Sequence, residues 1–153
     1  MSSTEVDAVL KACRVLVAIS AQSIAVAEEY VDLTQFRALV VIASYRVASL
    51  GQLAAAAGLS LSTASRLCDR LVAAGLLHRA DDPANRRQLA LTLTDAGKRV
   101  VGQVMESRRQ AVEPILHKLP KQRRAALVAA LEEFVAASGE PPVRDMWALG
   151  WLT

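Results

Sequence analysis

The sequence is poor in aromatic residues, in cysteine and in long apolar runs. Aromatic side chains make up 4% of the 153 residues, whereas 53% are hydrophobic. Ala, Val and Leu dominate this fraction, and since Ala and Leu favour helix, few strands are expected. No apolar run reaches about 18 residues, and no basic segment followed by an apolar core and a cleavage site opens the chain. We therefore expect a cytoplasmic protein without a membrane partner.

Residue types that form catalytic or metal sites are scarce and scattered. The two cysteines, Cys13 and Cys68, lack metal-ligand spacing, and the two histidines, His78 and His117, are isolated from one another. The chain has no HExxH motif, no glycine-rich phosphate loop and no nucleophile elbow. We predict that the protein is not an enzyme and uses no metal or other cofactor.

Basic residues exceed acidic residues by a small margin. The 18 Lys and Arg against 15 Asp and Glu give a formal charge of +3, which by itself is weak evidence for a polyanionic partner. A chain of this length forms one domain, or one small domain with helical extensions. Five arginines cluster in its middle third: Arg66, Arg70, Arg79, Arg86 and Arg87.

Apolar residues recur at steps of three and four in the first third of the chain. This spacing predicts a long helix over 5–29 and a second helix over 35–45, with Thr34 as its N-cap. Cys13 falls on the apolar stripe of the first helix, so we expect a buried thiol there. Cys68 is expected in the core as well.

The next segment has the spacing of a helix-turn-helix. Ser49 and Gln52 can form a capping box at the start of a short helix, 50–56. Gly58 can end this helix in the left-handed conformation. A second helix, 61–74, follows directly, and two short helices joined in this way form a helix-turn-helix.

A small wing follows the second helix. We predict a strand over 76–79, a polar loop over 80–87 and a returning strand over 89–93, whose leucines alternate with smaller residues. Thr94 then caps a long helix that extends to about Leu119.

The last third of the chain is predicted to be helical, with an apolar end. Pro114 should kink or interrupt the long helix. A final helix, 121–138, has one apolar side. The tail, 143–153, contains Trp147 and Trp151 and is more apolar than a disordered segment. We expect it to pack on the body of a dimer; a partner-binding or mobile end is the alternative.

The helix over 61–74 presents a short polar face opposite its apolar side. Its hydroxyls can bind phosphate oxygens or base edges, and an arginine can bind both acceptors of a guanine in the major groove. Arginines near the wing tip suit a narrow minor groove. Asp69 can pair with a wing arginine, and Asp82 and Asn85 can hold the loop. The predicted DNA-binding residues are Ser60, Ser62, Thr63, Ser65, Arg66, Arg70, Arg86 and Arg87.

This ordered set of motifs resembles the MarR family of bacterial transcription regulators. The matching residues are Leu53-Ala54, Gly58-Leu59-Ser60, Ser62-Thr63, Arg66-Leu67, Asp69-Arg70-Leu71, Gly75-Leu76-Leu77-x-Arg79, Asp82-Pro83, Arg86-Arg87 and Leu93-Thr94-x-x-Gly97. At Asn85 the family usually has Asp, so a salt bridge within the wing would become a neutral hydrogen bond.

The resemblance implies a mainly α fold with a small β-wing, in which a winged helix-turn-helix lobe joins a helical dimerisation region. The lobe would be 34–97, flanked by an N-terminal dimerisation helix, 1–33, and by C-terminal dimerisation helices with the apolar tail, 98–153. The homodimer would read a pseudo-palindrome in double-stranded DNA, with lobes about 10 bp apart. A cleft lined by the first two helices and the start of the fifth would take a small-molecule effector that releases a repressor from its operator.

Two other functions remain open at this point. Some relatives sense peroxide through an N-terminal cysteine, so Cys13 could make the protein a thiol-based redox regulator. A winged helix can also serve as a protein-interaction module. The arginine cluster argues against that second alternative. The apolar flanking helices, which have no other core to join, support a dimer independently of the resemblance.

Overall fold

The structure is a computed structural model that describes residues 3–85 and 88–139. In chain order the elements are α1 (Ser3–Ile24), a 3₁₀ turn (Ala25–Ala27), α2 (Leu33–Tyr45), β1 (Ala48–Ser49), α3 (Leu50–Ala57), α4 (Leu61–Ala73), β2 (Leu77–Asp81), β3 (Leu89–Leu93), α5 (Asp95–His117) and α6 (Lys121–Ser138). The predicted fold class, mainly α with a small β-wing, is confirmed.

Side-chain caps determine where the helices of the lobe begin. The predicted capping box at α3 is present: the Ser49 hydroxyl accepts the N–H of Gln52 at 3.0 Å, and Gln52 Oε1 accepts the N–H of Ser49 at 2.8 Å. Gly58 has a φ of +66° and ends α3 as predicted. The Ser60 hydroxyl accepts the N–H of Thr63 at 3.2 Å and starts α4.

The predicted N-cap of α2 was wrong by two residues. Asp32, not Thr34, begins the helix: its carboxylate accepts the N–H of Gln35 at 2.8 Å, and Gln35 Oε1 accepts the N–H of Asp32 at 2.9 Å. Only Asp32 has a glutamine three residues later to complete a reciprocal box.

The sheet is antiparallel and has the strand order β1-β3-β2. β2 and β3 form the predicted hairpin, with Leu77 opposite Leu93 and Asp81 opposite Leu89. β1 was not predicted, because a strand of two residues is too short to show alternation. It pairs Ala48 with Leu91 and ties the start of the helix-turn-helix to the wing.

The core lies beneath α4, where it joins α2, α3, the sheet and the first half of α5. Its largest fully buried side chains are Phe36, Leu39, Ile42, Leu53, Leu67, Leu71, Leu91, Val101 and Val104. The predicted inner side of α4 is confirmed, since Ala64, Leu67, Cys68 and Leu71 are all buried.

Two helices extend beyond this core. Every residue of α1 from 3 to 18 is exposed, and α6 contains no buried residue. α1 ends at Ile24, earlier than predicted. The expectation of a buried Cys13 was wrong for the single chain, in which this thiol is exposed. Periodicity identifies an apolar stripe but not what covers it.

Pro114 was predicted to kink or interrupt the long helix, and the interruption is wrong. α5 continues through this residue to His117. Proline removes the N–H that would bond the carbonyl of Gln110. Both residues are exposed, so water can solvate that carbonyl.

Within the described ranges, the segment Ser3–Ala27 is the one helix long and apolar enough to cross a membrane. Length and composition alone are weak evidence, because an interface helix of a soluble protein meets the same criterion. Glu5, Asp7, Lys11 and Arg14 interrupt its apolar surface.

Candidate nucleic-acid interface

The outer face of α4 exposes the side chains that the sequence assigned to DNA. Ser62, Arg66 and Arg70 are exposed, whereas Thr63 is half-buried. No ion pair joins either arginine to the described part of the chain. Together with Thr63 and Asp69 they line an open depression of about 460 Å³. The face therefore presents two exposed guanidinium groups beside polar side chains.

Three hydroxyls cluster at the first turn of α4. Ser60 Oγ donates to Thr63 Oγ1 at 2.9 Å and lies 3.1 Å from Ser62 Oγ. Because Ser60 also caps the helix, its oxygen has a structural role in addition to any contact with DNA. Ser62 is more exposed than Thr63, the other hydroxyl that contacts Ser60.

Arg79 of β2 joins the wing to α4. Its Nη1 donates to Asp69 Oδ1 at 2.5 Å, and its Nη2 lies 3.5 Å from Ser65 Oγ as a long hydrogen bond. The predicted pairing of Asp69 with an arginine is confirmed, and the partner is in the strand rather than at the loop tip. Ser65 is half-buried and faces Arg79, so this pairing competes with its predicted contact to DNA. Asp69 keeps 62% of its side chain exposed, against 26% for Arg79.

Hydrogen bonds within the loop of the wing, from both backbone and side chain, close the loop. Asp82 Oδ1 accepts the N–H of Ala84 at 2.9 Å, and the carbonyl of Asp82 accepts the N–H of Asn85 at 3.1 Å. The N–H of Gln88 donates to the carbonyl of Asn85 at 2.9 Å. Arg86 and Arg87, predicted to contact DNA, lie outside the described residues, as do Trp147, Trp151 and the rest of the predicted tail.

Thr94 attaches α5 to the lobe. Its hydroxyl accepts the N–H of Gly97 at 3.0 Å and donates to the carbonyl of Gly75 at 2.7 Å. Its own N–H donates to the carbonyl of Leu76 at 3.1 Å. Gly97 lies so close to this carbonyl that an added Cβ would be 2.2 Å from the oxygen. The lobe and α5 are thus held in direct backbone contact.

Arg108 is a half-buried cation that sequence reasoning missed. Its Nε donates to the buried hydroxyl of Ser23 at 3.0 Å, and its guanidinium carbon lies 4.9 Å from the centre of the Phe36 ring. Burial lowers the pKa of Arg108. A signal was available, because Arg108 continues the core spacing of Val101 and Val104 in steps of three and four.

An open cavity of about 520 Å³ lies beside Arg108. Its lining residues are Met105, Arg108, Arg109, Val112, Glu113 and Leu116. The expected cleft had been assigned to the start of the fifth helix, whereas this cavity follows its second half. α1 and α2 contribute Ser23 and Phe36, which hold Arg108 rather than line the cavity.

The two thiols have opposite environments. Cys68 is fully buried on the inner side of α4, as predicted, and burial raises the pKa of its thiol. Arg79 opposes this shift and Asp69 adds to it, each as a smaller effect. Cys13 lies on the exposed half of α1. Only Cys13 is accessible to a reagent in the single chain.

Comparison with known proteins identifies the family. The sequence model of the MarR family matches residues 31–89. The structure of RV1404 from Mycobacterium tuberculosis is 42% identical over 94% of this chain and 99% of that chain, with a TM-score of 0.82. The transcriptional regulator Tm0710 from Thermotoga maritima is 26% identical over 88% of this chain and 94% of that chain, with a TM-score of 0.67.

BpsR from Bordetella bronchiseptica, whose DNA binding is regulated by 6-hydroxynicotinic acid, is 26% identical over 84% of this chain and 90% of that chain, with a TM-score of 0.63. No curated protein sequence matches the chain. Identity, coverage and the winged-helix motifs agree: the chain belongs to the MarR family of transcriptional regulators.

Proposed function

We propose that this protein is a cytoplasmic homodimeric repressor that binds a pseudo-palindromic operator and is released by a small-molecule effector. The observation that carries the proposal is the outer face of α4, where Arg66 and Arg70 have no carboxylate partner among the described residues and lie beside a wing strand that is paired with the same helix. A helix presented in this way fits the major groove of double-stranded DNA.

Arg66 and Arg70 are best suited to direct contact with DNA. A guanidinium bidentate to a guanine contributes about 1–3 kcal/mol of discrimination between bases. Ser62 and Thr63 lie at the N-terminal turn, where hydroxyl and backbone N–H groups suit phosphate oxygens. Arg86 and Arg87 extend the proposed contact to the neighbouring minor groove.

The exposed apolar helices support dimerisation through regions 1–33 and 98–153. The exposed large apolar side chains of α1 and α6 are Val6, Val9, Leu10, Val15, Leu16, Val17, Leu127, Val128, Leu131, Phe134 and Val135. Burying half of each would contribute about 1 kcal/mol per side chain, or about 10 kcal/mol from each copy. The entropic cost of association is about 4–15 kcal/mol, so a stable dimer is expected.

The cavity beside Arg108 supports an effector with an anionic group. A desolvated guanidinium held by Ser23 and Phe36 can form a charge-assisted pair with a carboxylate. Phe36 belongs to the core of α2, so a ligand paired with Arg108 would be linked to the lobe through the contact between Arg108 and Phe36. The aromatic acid that regulates BpsR in Bordetella bronchiseptica has this chemistry.

Substituting Arg108 tests the effector site separately from DNA binding. We expect Arg108→Gln to bind operator DNA as the wild type does. Its release from DNA should require at least a tenfold higher concentration of the probe, 6-hydroxynicotinic acid. Arg109→Gln is the matched control, because Arg109 lines the same cavity but is exposed and pairs with Glu106. Equal loss of response in both variants would contradict the specific role of Arg108.

Selection from a random duplex library tests the DNA contact without assuming an operator. We expect enrichment of an inverted repeat whose half-sites lie about 10 bp apart, or a multiple of that distance. The Arg66→Ala variant should lose preference at one position of each half-site. Absence of any enriched sequence would favour a protein-interaction role for the winged helix.

Redox sensing through Cys13 is the second candidate, supported by the exposure of this thiol in the single chain. A mild peroxide should then abolish operator binding by the wild type but not by Cys13→Ser. Equal responses of the two proteins would exclude the mechanism, and modification of Cys68 is not expected because that thiol is buried.

A further inference from the structure

Leu61 is an apolar residue exposed on the polar surface of α4. It is the first residue of the helix, and 60% of it is exposed. Ser62 and Arg66, which are also exposed, are its polar neighbours on this surface. A leucine side chain has neither a hydrogen-bond donor nor an acceptor, so it cannot bind phosphate oxygens as the hydroxyls and guanidinium groups around it can. Its chemistry therefore differs from that of every residue proposed above for contact with DNA.

Three residues form a row along one side of α4: Leu61, Ser65 and Asp69. They are four positions apart, and residues at this spacing are neighbours on a helix surface. Arg79 of the wing contacts the second and third members of the row, at Ser65 Oγ and Asp69 Oδ1. Leu61 lies one turn, about 5.4 Å, ahead of Ser65, and helical side chains are directed toward the N-terminus. Leu61 therefore extends beyond the contact between α4 and the wing.

The end of α4 that carries Leu61 is the end remote from α5. The other end is held at α5, because the hydroxyl of Thr94 donates to the carbonyl of Gly75 at 2.7 Å. With 13 residues, α4 is about 20 Å long, and this length separates Leu61 from the held end. In a helix-turn-helix, residues at the N-terminal end of the second helix contact base edges. Leu61 is thus at the end of α4 that enters the groove in the proposed complex.

The major groove offers one apolar group to such a side chain, the C5-methyl group of thymine. Guanine, adenine and cytosine present hydrogen-bond donors and acceptors there. A leucine placed against these polar atoms would displace their water without replacing its hydrogen bonds, which is unfavourable. Against the thymine methyl group, two apolar surfaces leave water together. An exposed leucine at this position would therefore favour thymine and disfavour the other three bases.

We propose that Leu61 reads one thymine in each half-site of the operator, through contact with the C5-methyl group. This rests on the proposed DNA-binding function and adds an apolar contact to its arginine contacts. Arg66 follows five positions later, about 7.5 Å along the helix, and successive base pairs are about 3.4 Å apart. The thymine read by Leu61 is therefore within about three base pairs of the base read by Arg66.

Replacing thymidine by deoxyuridine tests the contact, because the two nucleosides differ only in the C5-methyl group. The duplex is the one that the wild type selects from the random library, and each thymine is replaced in turn, in both half-sites at once. Burying one methyl group changes a binding constant by about fourfold. At one position the replacement should therefore weaken wild-type binding by about 10- to 20-fold in fluorescence anisotropy. Leu61→Ala should bind the thymidine and deoxyuridine duplexes equally.

Val72→Ala is the matched control. Val72 is another exposed apolar residue of α4, but it lies about three turns after Leu61, near the end that is held at α5. This variant should respond to loss of the methyl group as the wild type does. Leu61→Met keeps an apolar side chain of similar volume and should retain most of the response. Circular dichroism should show full helix content in each variant, because the substituted residues are exposed.

The possible results separate the contact from DNA binding itself. A thymine position that responds in the wild type and in Val72→Ala, but not in Leu61→Ala, supports the contact. If no position shows this difference, or if Leu61→Ala weakens binding while keeping the wild-type response to deoxyuridine, the contact is refuted although DNA binding stands. If the wild type selects no sequence from the library, the proposed function fails and the contact fails with it.

Discussion

Replacing Gly97 by alanine perturbs a close backbone contact between α5 and the winged-helix lobe. The new Cβ would lie 2.2 Å from the carbonyl oxygen of Leu76 and 3.1 Å from its carbon. Both atoms belong to backbone, so no side chain can rotate away. The oxygen also accepts the N–H of Thr94 at 3.1 Å, and moving it lengthens that hydrogen bond.

The magnitude follows from three contributions to the free energy of unfolding. Overpacking a close contact costs about 1–3 kcal/mol, and this contact is at the severe end of that range. Losing the hydrogen bond costs about 1 kcal/mol more. Alanine returns about 1 kcal/mol through its higher helix propensity. We expect Gly97→Ala to lower the free energy of unfolding by about 3 kcal/mol.

Urea denaturation at fixed protein concentration measures this change, since dimer stability depends on concentration. Gly51→Ala is the matched control: it also lies in a helix, but its added Cβ would meet only Ser49 Oγ at 3.8 Å. That variant should be more stable than the wild type by about 0.5–1 kcal/mol. The reasoning is refuted if Gly97→Ala is as stable as the wild type.

Three further predictions concern Arg66, the pair of Asp69 with Arg79, and the buried Cys68. Arg66→Ala should weaken binding to the preferred duplex by about 1–3 kcal/mol, and equal weakening on all duplexes would assign Arg66 to phosphate instead. A double-mutant cycle with Asp69→Asn and Arg79→Gln should give a coupling of about 0.2–1 kcal/mol in urea denaturation, and zero coupling would contradict the role of the pair. Because burial raises the pKa of Cys68, the folded state retains its proton longer than the unfolded chain. The resulting stability should be complete below the ordinary value of 9.0 and be lost as pH rises above it, by at most about 1.4 kcal/mol per pH unit, whereas Cys68→Ala should lack this loss.

Local signals predicted the helix boundaries of the winged-helix lobe well, because short-range hydrogen bonds set them. The Ser49 box, the left-handed Gly58 and the Ser60 cap each depend on residues within three positions. The pairing of Asp69 was also predictable, since a carboxylate on the outer face of α4 lies within reach of the wing. Its partner could not be assigned before the strand register placed Arg79.

The remaining errors of the sequence-based prediction concern the surroundings of a residue, which its helix propensity and spacing do not reveal. The stripe that contains Cys13 is apolar, but a single chain leaves it exposed. Pro114 was expected to kink or interrupt α5, but the helix continues through it, and water can solvate the carbonyl that loses its donor. Arg108 follows the helical spacing of buried apolar residues, but it was not predicted as a site residue. Helical spacing does not reveal that Ser23 and Phe36 both contact its side chain.

Sequence-specific binding of DNA through α4 is the central claim, and fluorescence anisotropy tests it most directly. The wild type and the Arg66→Ala, Arg70→Ala double variant would be titrated against the protein's own upstream intergenic duplex, with a scrambled competitor and a salt series. We expect tight wild-type binding that survives the competitor, weakens with salt and is lost in the double variant. Equal, weak binding of both proteins to both duplexes would contradict it.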